Sequence, residues 1–173
     1  MRRAKRLSKG GNFRIVVFSD THGSMRSVLK IFRLNSTADA YIFLGDGEKE
    51  IKQIRELHPD KNILAVKGNC DFISTAPEEL VFTAPDGRKI FAAHGNTYSV
   101  GTSRDRIFYK GKEVGACAVL FGHTHCRYLA HDEDMYLLNP GSAAQPRDGL
   151  APSYAFIDLL ADGGIFCTHV DLK

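Results

Sequence analysis

Short strand-like runs alternate with helical segments at the start of this chain, and that order constrains the fold most. The runs FRIVVF (13–18), AYIFL (40–44) and NILAV (62–66) are rich in β-branched and aromatic residues. Between them, Met25–Leu34 and Glu48–Leu57 carry apolar residues at helical spacing. A βαβαβ order predicts parallel strands with helices packed against the sheet.

The second half of the chain is predicted to be richer in strands. The turn sequence APDGRK separates ELVFT (79–83) from KIFAA (89–93) and predicts a hairpin. A helical segment over about 103–114 precedes CAVLF (117–121), and four strand-like runs follow: RYLAH, MYLLN, YAFIDLL and IFCTHV, the last two joined by the turn ADGG. Two sheets packed face to face, each covered by helices on its outer side, would account for both halves.

A length of 173 residues predicts one domain, over 12–173, preceded by a basic extension over 1–11 that we expect to be disordered. The first ten residues hold five of the 23 basic residues and no acidic one, so the rest of the chain carries a formal charge of −2 rather than +3. The predicted domain therefore lacks the basic surface of a duplex-binding protein. Contact with nucleic acid or an anionic membrane would be confined to the extension.

Composition and cysteine usage favour a cytoplasmic protein. The longest apolar runs fall far short of the roughly 20 residues needed to cross a bilayer, and we expect no transmembrane segment. We find no secretory signal, and the four cysteines are expected to be reduced because a chain of this size does not need disulfides to be stable. A homo-oligomer is compatible with these features.

Five strand-like runs end in the same way, with a small residue followed by residue types that bind metals. The motifs are SDTHG, LGD, KGNCD, AHG and FGHTH. Because the carboxyl ends of parallel strands open onto one crevice, we expect these side chains to converge. The candidate metal ligands are Asp20, His22, Asp46, Asn69, His94, His123 and His125.

Seven ligands exceed the needs of one ion, so two divalent ions sharing a carboxylate are predicted. Mixed carboxylate, amide and imidazole donors favour Mn²⁺, with Fe, Zn²⁺ or Ni²⁺ as alternatives. In extended backbone, residues i and i+2 point to the same side, so His123 and His125 could reach two neighbouring ions. We expect Gly122 to allow a tight bend at that point.

With these motifs, the chain resembles the calcineurin-like metallophosphoesterase superfamily. The order D-x-H, G-D, G-N-x-D, H-G, G-H-x-H spans residues 20–125. The short length and the sequence NPGS (139–142) resemble the small YfcE-type phosphodiesterases, and a retromer subunit has a related core. The resemblance implies an α/β fold, a four-layer αββα sandwich of two mixed sheets flanked by helices.

The resemblance also implies how the ligands are shared. One ion would be held by Asp20, His22, Asp46 and His125, and the other by Asp46, Asn69, His94 and His123, with Asp46 bridging. Such a centre attracts a phosphate ester and activates a bridging water or hydroxide for in-line attack. The predicted substrate is a small phosphodiester or a nucleotide-like molecule.

Cys70 is a departure from many members of the superfamily, which have a histidine that contacts the phosphate and protonates the leaving group at this position. A thiol is a weak hydrogen-bond donor, and loss of general acid catalysis typically costs roughly 10²- to 10⁴-fold in rate. The YfcE-type branch also lacks this histidine, which implies phosphodiesters rather than phosphomonoesters. Cys70 as a nucleophile is the less favoured alternative, because no base is assigned to it.

Other residues are candidates for orienting the metal ligands or for contacting the substrate. Asp71 is expected to orient a ligand through a hydrogen bond, with a helix cap as the alternative. Asn69, His94 and Arg147 are candidates for contacting the substrate phosphate, with a solvated loop arginine as the alternative for Arg147. Ser142 is a weaker candidate for substrate contact. No catalytic residue is predicted beyond the water held by the metals.

Two other functions remain open. The same fold could serve as a non-catalytic scaffold or partner-binding module, as in the retromer subunit, or as a phosphomonoesterase. Because a non-catalytic descendant is free to lose metal ligands and all seven are present, the sequence favours an enzyme.

Overall fold

A computed structural model of the protein describes residues 11–173, and over this range the elements follow the predicted order. Residues 1–10 of the basic extension lie outside this range, so its disorder stays a prediction. The strands and helices are β1 (Phe13–Phe18), α1 (Met25–Leu34), β2 (Ala40–Phe43), α2 (Glu48–Leu57), β3 (Ile63–Ala65), β4 (Glu79–Thr83), β5 (Lys89–Ala93), α3 (Asp105–Val114), β6 (Ala116–Leu120), β7 (Arg127–Asp132), β8 (Met135–Pro140), β9 (Ser153–Leu159) and β10 (Ile165–Asp171). A 3₁₀ helix over Asn96–Tyr98 was not predicted, because three residues carry no periodic pattern.

The strands form two mixed five-stranded sheets. The first has the order β10-β9-β1-β2-β3, in which β1, β2 and β3 are mutually parallel, as the βαβαβ pattern predicts. The second has the order β4-β5-β6-β8-β7, with β5, β6 and β8 parallel. The two predicted turns are confirmed, since β4 with β5 and β9 with β10 form antiparallel pairs.

Three apolar clusters separate four layers. Along β1, alternate side chains point to opposite faces: Ile15 and Val17 pack between the sheets, whereas Val16 and Phe18 pack under α1 and α2. A third cluster joins α3 to the outer face of the second sheet. Burial on both faces explains why β1 is an almost uninterrupted apolar run. The predicted α/β sandwich, with two sheets between outer helices, is confirmed.

Within residues 11–173, no helix combines the length and apolar character needed to span a bilayer.

Candidate metal centre

The carboxyl ends of five strands meet at one edge of the sandwich. Parallel pairing places the ends of β1 and β2 side by side in the first sheet, and those of β5 and β6 in the second. Backbone hydrogen bonds join the loops that follow: His22 N–H donates to Asp46 O (3.0 Å), and Gly122 N–H donates to His94 O (2.9 Å). The predicted convergence of side chains therefore has a backbone basis.

The backbone at five of the seven predicted ligands is left-handed. The φ angles are +55° at Asp20, +40° at His22, +63° at Asp46, +68° at His123 and +58° at His125. Non-glycine residues adopt this region rarely, and such strain concentrates at functional sites. The expectation that His123 and His125 share an extended backbone is therefore wrong, because each is directed by its own left-handed turn.

The close approach of these loops requires small residues. A Cβ atom on Gly122 would lie 2.0 Å from Ser19 Oγ and 2.9 Å from Asp20 Oδ2. Gly122 thus has a role beyond the predicted bend, because it allows the loops of Asp20 and His123 to touch. Gly45 is needed for two reasons: its φ of +101° is rarely adopted by other residues, and a Cβ atom would lie 2.5 Å from Gly68 N.

The two buried aspartates are held in the same manner. Asp20 Oδ2 accepts a hydrogen bond from His123 N–H at 3.2 Å, and Asp46 Oδ1 accepts one from Cys70 N–H at 2.7 Å. Each aspartate thus has one oxygen fixed by the backbone and the other turned toward imidazole rings. Asp20 Oδ1 is buried and has no hydrogen-bond partner among the described residues. His125 Nε2 lies 3.2 Å from this oxygen, but the pair is not aligned as a hydrogen bond.

The first donor group comprises Asp20, His22 and His125. The two Nε2 atoms of the histidines lie 3.1 Å apart, and His22 Nε2 lies 3.9 Å from Asp20 Oδ1 and from Asp46 Oδ2. Ligand bonds of about 2.1 Å at tetrahedral or right angles place neighbouring donors about 3.0–3.4 Å apart. The shorter contacts fall in this range, so these donors could hold one cation.

The second donor group comprises Asn69, His94 and His123. Asn69 Oδ1 lies 3.0 Å from His94 Nε2 and 2.9 Å from His123 Nδ1. Asp46 Oδ2 lies 3.5 Å from His94 Nε2, so the same oxygen faces His22 in one group and His94 in the other. All seven predicted ligands therefore fall into two adjacent groups with Asp46 between them.

Backbone carbonyls fix the orientation of two imidazoles. His94 Nδ1 lies 2.7 Å from Leu44 O, and His125 Nδ1 lies 2.7 Å from Gln145 O. Because a carbonyl oxygen only accepts, Nδ1 carries the proton and donates it, which leaves Nε2 directed into the cluster. This arrangement, with the second ring nitrogen bonded to the protein, is typical of metal-binding histidines.

The electrostatics of the cluster favour a cation. Burial opposes a charge on His94, but its contact with Asp46 and the charges of Asp20 and Asp46 outweigh burial and raise its pKa. A contact with Asp20 likewise raises the pKa of His125. Burial and the nearby His94 lower the pKa of His123. Burial by itself would raise the pKa of Asp46, yet its contact with His94 holds it well below the usual range.

Asp71 is buried and accepts four backbone hydrogen bonds behind the cluster. Its carboxylate accepts from the N–H groups of Asp46, Gly47, Glu48 and Gly68 at 2.8 to 3.0 Å. These bonds tie Asp71 to the Asp46 loop and to the first residues of α2, so its role in orienting a ligand stays a prediction that this geometry allows.

Cys70 lies at the edge of the cluster. Its Sγ is within 4.8 Å of donor atoms of His22 and Asp46, and it accepts a hydrogen bond from Asn69 Nδ2 at 3.3 Å. Burial and the neighbouring carboxylates, Asp46 foremost, raise the pKa of the thiol to about 11. These neighbours do not activate the thiol as a nucleophile.

Arg147 and Ser142 occupy different surroundings. Arg147 is exposed beside the cluster: its N–H donates to His125 O at 3.0 Å, and its guanidinium has no partner among residues 11–173. Ser142 is fully buried, and its hydroxyl donates to Asp20 O at 2.7 Å. Ser142 therefore supports the Asp20 loop, and the expected contact with substrate is wrong because the side chain is closed off from solvent.

Sequence reasoning missed Glu50. Its Oε1 accepts hydrogen bonds from Thr21 Oγ1 (2.8 Å) and Gly23 N–H (2.7 Å), which ties α2 to the loop of Asp20 and His22. The available signal was a carboxylate on the apolar face of α2, next to Ile51 and one turn from Ile54. Burying a charge is costly unless it is hydrogen-bonded, so a carboxylate in that position predicts a buried hydrogen-bond partner.

Comparison with known proteins agrees with this geometry. The model of the calcineurin-like phosphoesterase superfamily domain matches residues 13–162. A probable metallophosphoesterase, YsnB of Bacillus subtilis, is 33% identical over 152 residues, covering 86% of this chain and 85% of YsnB. The phosphodiesterase YfcE of Escherichia coli is 25% identical over 169 residues, covering 84% of this chain and 87% of YfcE.

Solved structures show the same fold. A predicted phosphoesterase from Streptococcus pneumoniae superimposes with a TM-score of 0.76 at 27% identity, over 92% of this chain and 97% of that one. Vps29 from Chaetomium thermophilum superimposes with a TM-score of 0.72 at 20% identity, over 91% and 95% of the two chains, a likeness of fold alone. With its motifs, its sandwich and its family match in agreement, this chain belongs to the calcineurin-like phosphoesterase superfamily.

Proposed function

We propose that this protein is a phosphodiesterase that depends on two divalent metal ions. The observation that carries the proposal is the position of Asp46 Oδ2, which faces His22 on one side and His94 on the other at 3.9 and 3.5 Å. One ion would be held by Asp20, His22, Asp46 and His125. The other would be held by Asp46, Asn69, His94 and His123.

The donors fit such ions by their chemistry. The buried Asp20 Oδ1 offers a lone pair that no hydrogen-bond donor among the described residues uses, and Nε2 of His94 and of His125 is directed into the cluster. Nitrogen and oxygen donors favour Mn²⁺, and also suit Fe, Zn²⁺ or Ni²⁺. Bound there, the ions would supply positive charge for the phosphoryl oxygens and lower the pKa of an attacking water.

In this proposal, some residues hold the metal ligands in place and others bind the phosphate of the substrate. Asp71 and the carbonyls of Leu44 and Gln145 fix the aspartate and imidazole positions. In this proposal Asn69 and His94 contact the phosphate, and the exposed Arg147 guanidinium pairs with one of its oxygens. The four cysteines are free thiols, which is consistent with our expectation of a cytoplasmic protein.

A diester is favoured over a monoester because of Cys70. No histidine stands at this position to protonate the departing oxygen, and a thiol is a weak donor. Substrates with good leaving groups depend least on such a proton. We therefore expect aryl phosphodiesters to be hydrolysed faster than the corresponding monoesters.

The test is hydrolysis of bis(4-nitrophenyl) phosphate and of 4-nitrophenyl phosphate by purified protein with Mn²⁺. We expect the diester to react faster, and both Asp46→Asn and His94→Ala to lower kcat/KM by at least about 10³-fold. His131→Ala is the matched control, since His131 is exposed and, among residues 11–173, its ring stacks on Tyr136 alone. Faster hydrolysis of the monoester would instead identify a phosphomonoesterase.

A partner-binding module is the second candidate, because Vps29 shares the fold. It would replace the proposal if folded protein that binds Mn²⁺ in calorimetry hydrolysed neither ester with any of the four metals.

A further inference from the structure

A cleft of about 290 Å³ lies beside the second donor group. Its lining includes the candidate ligand Asn69 together with Lys67, Phe72, Glu78, Asn96 and Thr97. Since Asn69 borders both the cluster and the cleft, a phosphate held at the cluster would direct one of its ester groups into this space. The cleft therefore adjoins the proposed reaction site at Asn69.

Phe72 is presented to this cleft by an anchored loop. Asp71, the residue before Phe72, accepts a hydrogen bond from Gly68 N–H at 2.9 Å, and its own carbonyl accepts one from Ser74 N–H at 3.2 Å. At the far end of the loop, Lys67 N–H donates to Pro77 O at 2.8 Å. The side chain of Phe72 is nevertheless 85% exposed. A hydrogen-bonded loop that holds an aromatic ring in solvent, next to a reaction site, offers a flat surface for stacking.

The charged residues of the cleft balance each other, which favours binding of an uncharged group of the ligand. Lys67 and Glu78 contribute one charge of each sign, and neither side chain has an ion-pair partner within the described part of the chain. Asn96 and Thr97 add an amide and a hydroxyl, both exposed. A flat apolar face surrounded by hydrogen-bonding groups suits a planar heteroaromatic ring better than an alkyl chain or a polyphosphate.

We infer that this cleft binds the nucleoside group of a nucleotide phosphodiester, with the base stacked on Phe72. The inference rests on the proposed function and narrows its substrate class. In the reaction, an oxygen of water forms a bond to phosphorus, one P–O ester bond breaks, and the departing alkoxide takes up a proton. The products are a phosphomonoester and an alcohol, one of which carries the nucleoside.

The test uses the absence of tryptophan from the chain. Phe72→Trp introduces a single tryptophan, whose emission is distinct from that of the six tyrosines, at the proposed stacking surface. With Mn²⁺ present, we expect adenosine 5′-monophosphate to quench it saturably and to bind at least about 10-fold more tightly than ribose 5-phosphate or inorganic phosphate, as base stacking on an aromatic ring predicts. Ile73→Trp is the matched control, because Ile73 is 86% exposed on the same loop but does not line the cleft.

Kinetics supply a second readout. Phe72→Ala should raise KM for a nucleoside 4-nitrophenyl phosphodiester by about 10-fold and leave kcat, and the KM for methyl 4-nitrophenyl phosphate, unchanged. Phe72→Tyr should restore the wild-type KM.

The inference is overturned if the fluorescence of Phe72→Trp does not respond to the nucleotide, if ribose 5-phosphate binds equally well, or if Ile73→Trp responds as strongly. These outcomes are separable from failure of the proposed function. Active wild-type protein together with an unresponsive Phe72→Trp variant overturns only the nucleoside site. A responsive Phe72→Trp variant of a protein that hydrolyses neither ester overturns only the hydrolysis.

Discussion

At the scale of single residues, Asp71 connects two loops of the candidate centre. Its carboxylate receives four N–H groups from three positions in the Asp46 loop and one in the Asn69 loop. Four donors converging on one buried group need a charged acceptor with two equivalent oxygens. Asp71 therefore couples the stability of the two loops to the geometry of their ligands.

Replacing Asp71 by Asn should lower both stability and metal affinity. An amide keeps one acceptor oxygen and turns an NH₂ group toward the other N–H groups, so at least one buried donor loses its partner. We expect a loss of about 2–4 kcal/mol in the free energy of unfolding, measured by urea denaturation, and weaker Mn²⁺ binding in calorimetry. Asp60→Asn, with an exposed carboxylate, should change neither quantity. Unchanged stability of Asp71→Asn would contradict the role assigned to this carboxylate.

At the scale of elements, the end of α1 is fastened to β2 through Tyr41. The Tyr41 hydroxyl donates to Asn35 O at 2.5 Å, and Asn35 Nδ2 donates to Ile31 O at 2.8 Å. The ring of Tyr41 stacks on Phe32 with the centroids 4.1 Å apart. A phenol so enclosed resists ionisation, and burial, aided by Asp60, raises the pKa of Tyr41 from 10.0 to about 12.

The raised pKa predicts a loss of stability in alkali. The contribution of Tyr41 is complete below pH 10 and falls as pH rises from 10 toward 12, because the unfolded chain ionises first. Tyr41→Phe should cost about 1 kcal/mol at pH 8 and make the fall above pH 10 shallower by about 2–3 kcal/mol. The exposed Tyr109→Phe should reproduce the wild-type curve. Parallel curves for wild type and Tyr41→Phe, measured by denaturation at each pH, would refute this account.

At the scale of the whole molecule, the candidate centre lies between the two sheets. Loops after the first sheet supply Asp20, His22, Asp46 and Asn69, and loops after the second supply His94, His123 and His125. The apolar cluster between the sheets holds these loops at a fixed separation. Ions bound by both sets of ligands would therefore stabilise the packing of one sheet on the other.

Metal binding should stabilise the entire fold as one unit. Ligand at 100 times its Kd adds about 2.7 kcal/mol, which for a chain of this size corresponds to a rise of about 5–10 °C in Tm. We expect one calorimetric transition that shifts upward with Mn²⁺ and returns on addition of a chelator. The shift should disappear in both Asp46→Asn and His125→Ala, one from each sheet. Two separate transitions, or a shift retained by both variants, would show that the ions do not join the sheets.

The sequence by itself determined the elements and the identity of the candidate ligands. Apolar periodicity is a local property, so the bounds of α1 and α2 and the order of the parallel strands could be predicted from it. The convergence of the candidate ligands could be predicted because parallel strands place their carboxyl ends together, whatever the details of the loops.

Only the tertiary structure decided how the side chains at those ends are aimed. The left-handed turns at Asp20, Asp46 and His125, the contact of Gly122 with Ser19, and the partners of Asp71 depend on loops from distant parts of the chain. Such contacts leave no periodic signal, because hydrogen bonds between residues far apart in the chain are set by packing and not by neighbouring residue types. For the same reason, the cleft at Phe72 appears only once the loops that enclose it have met.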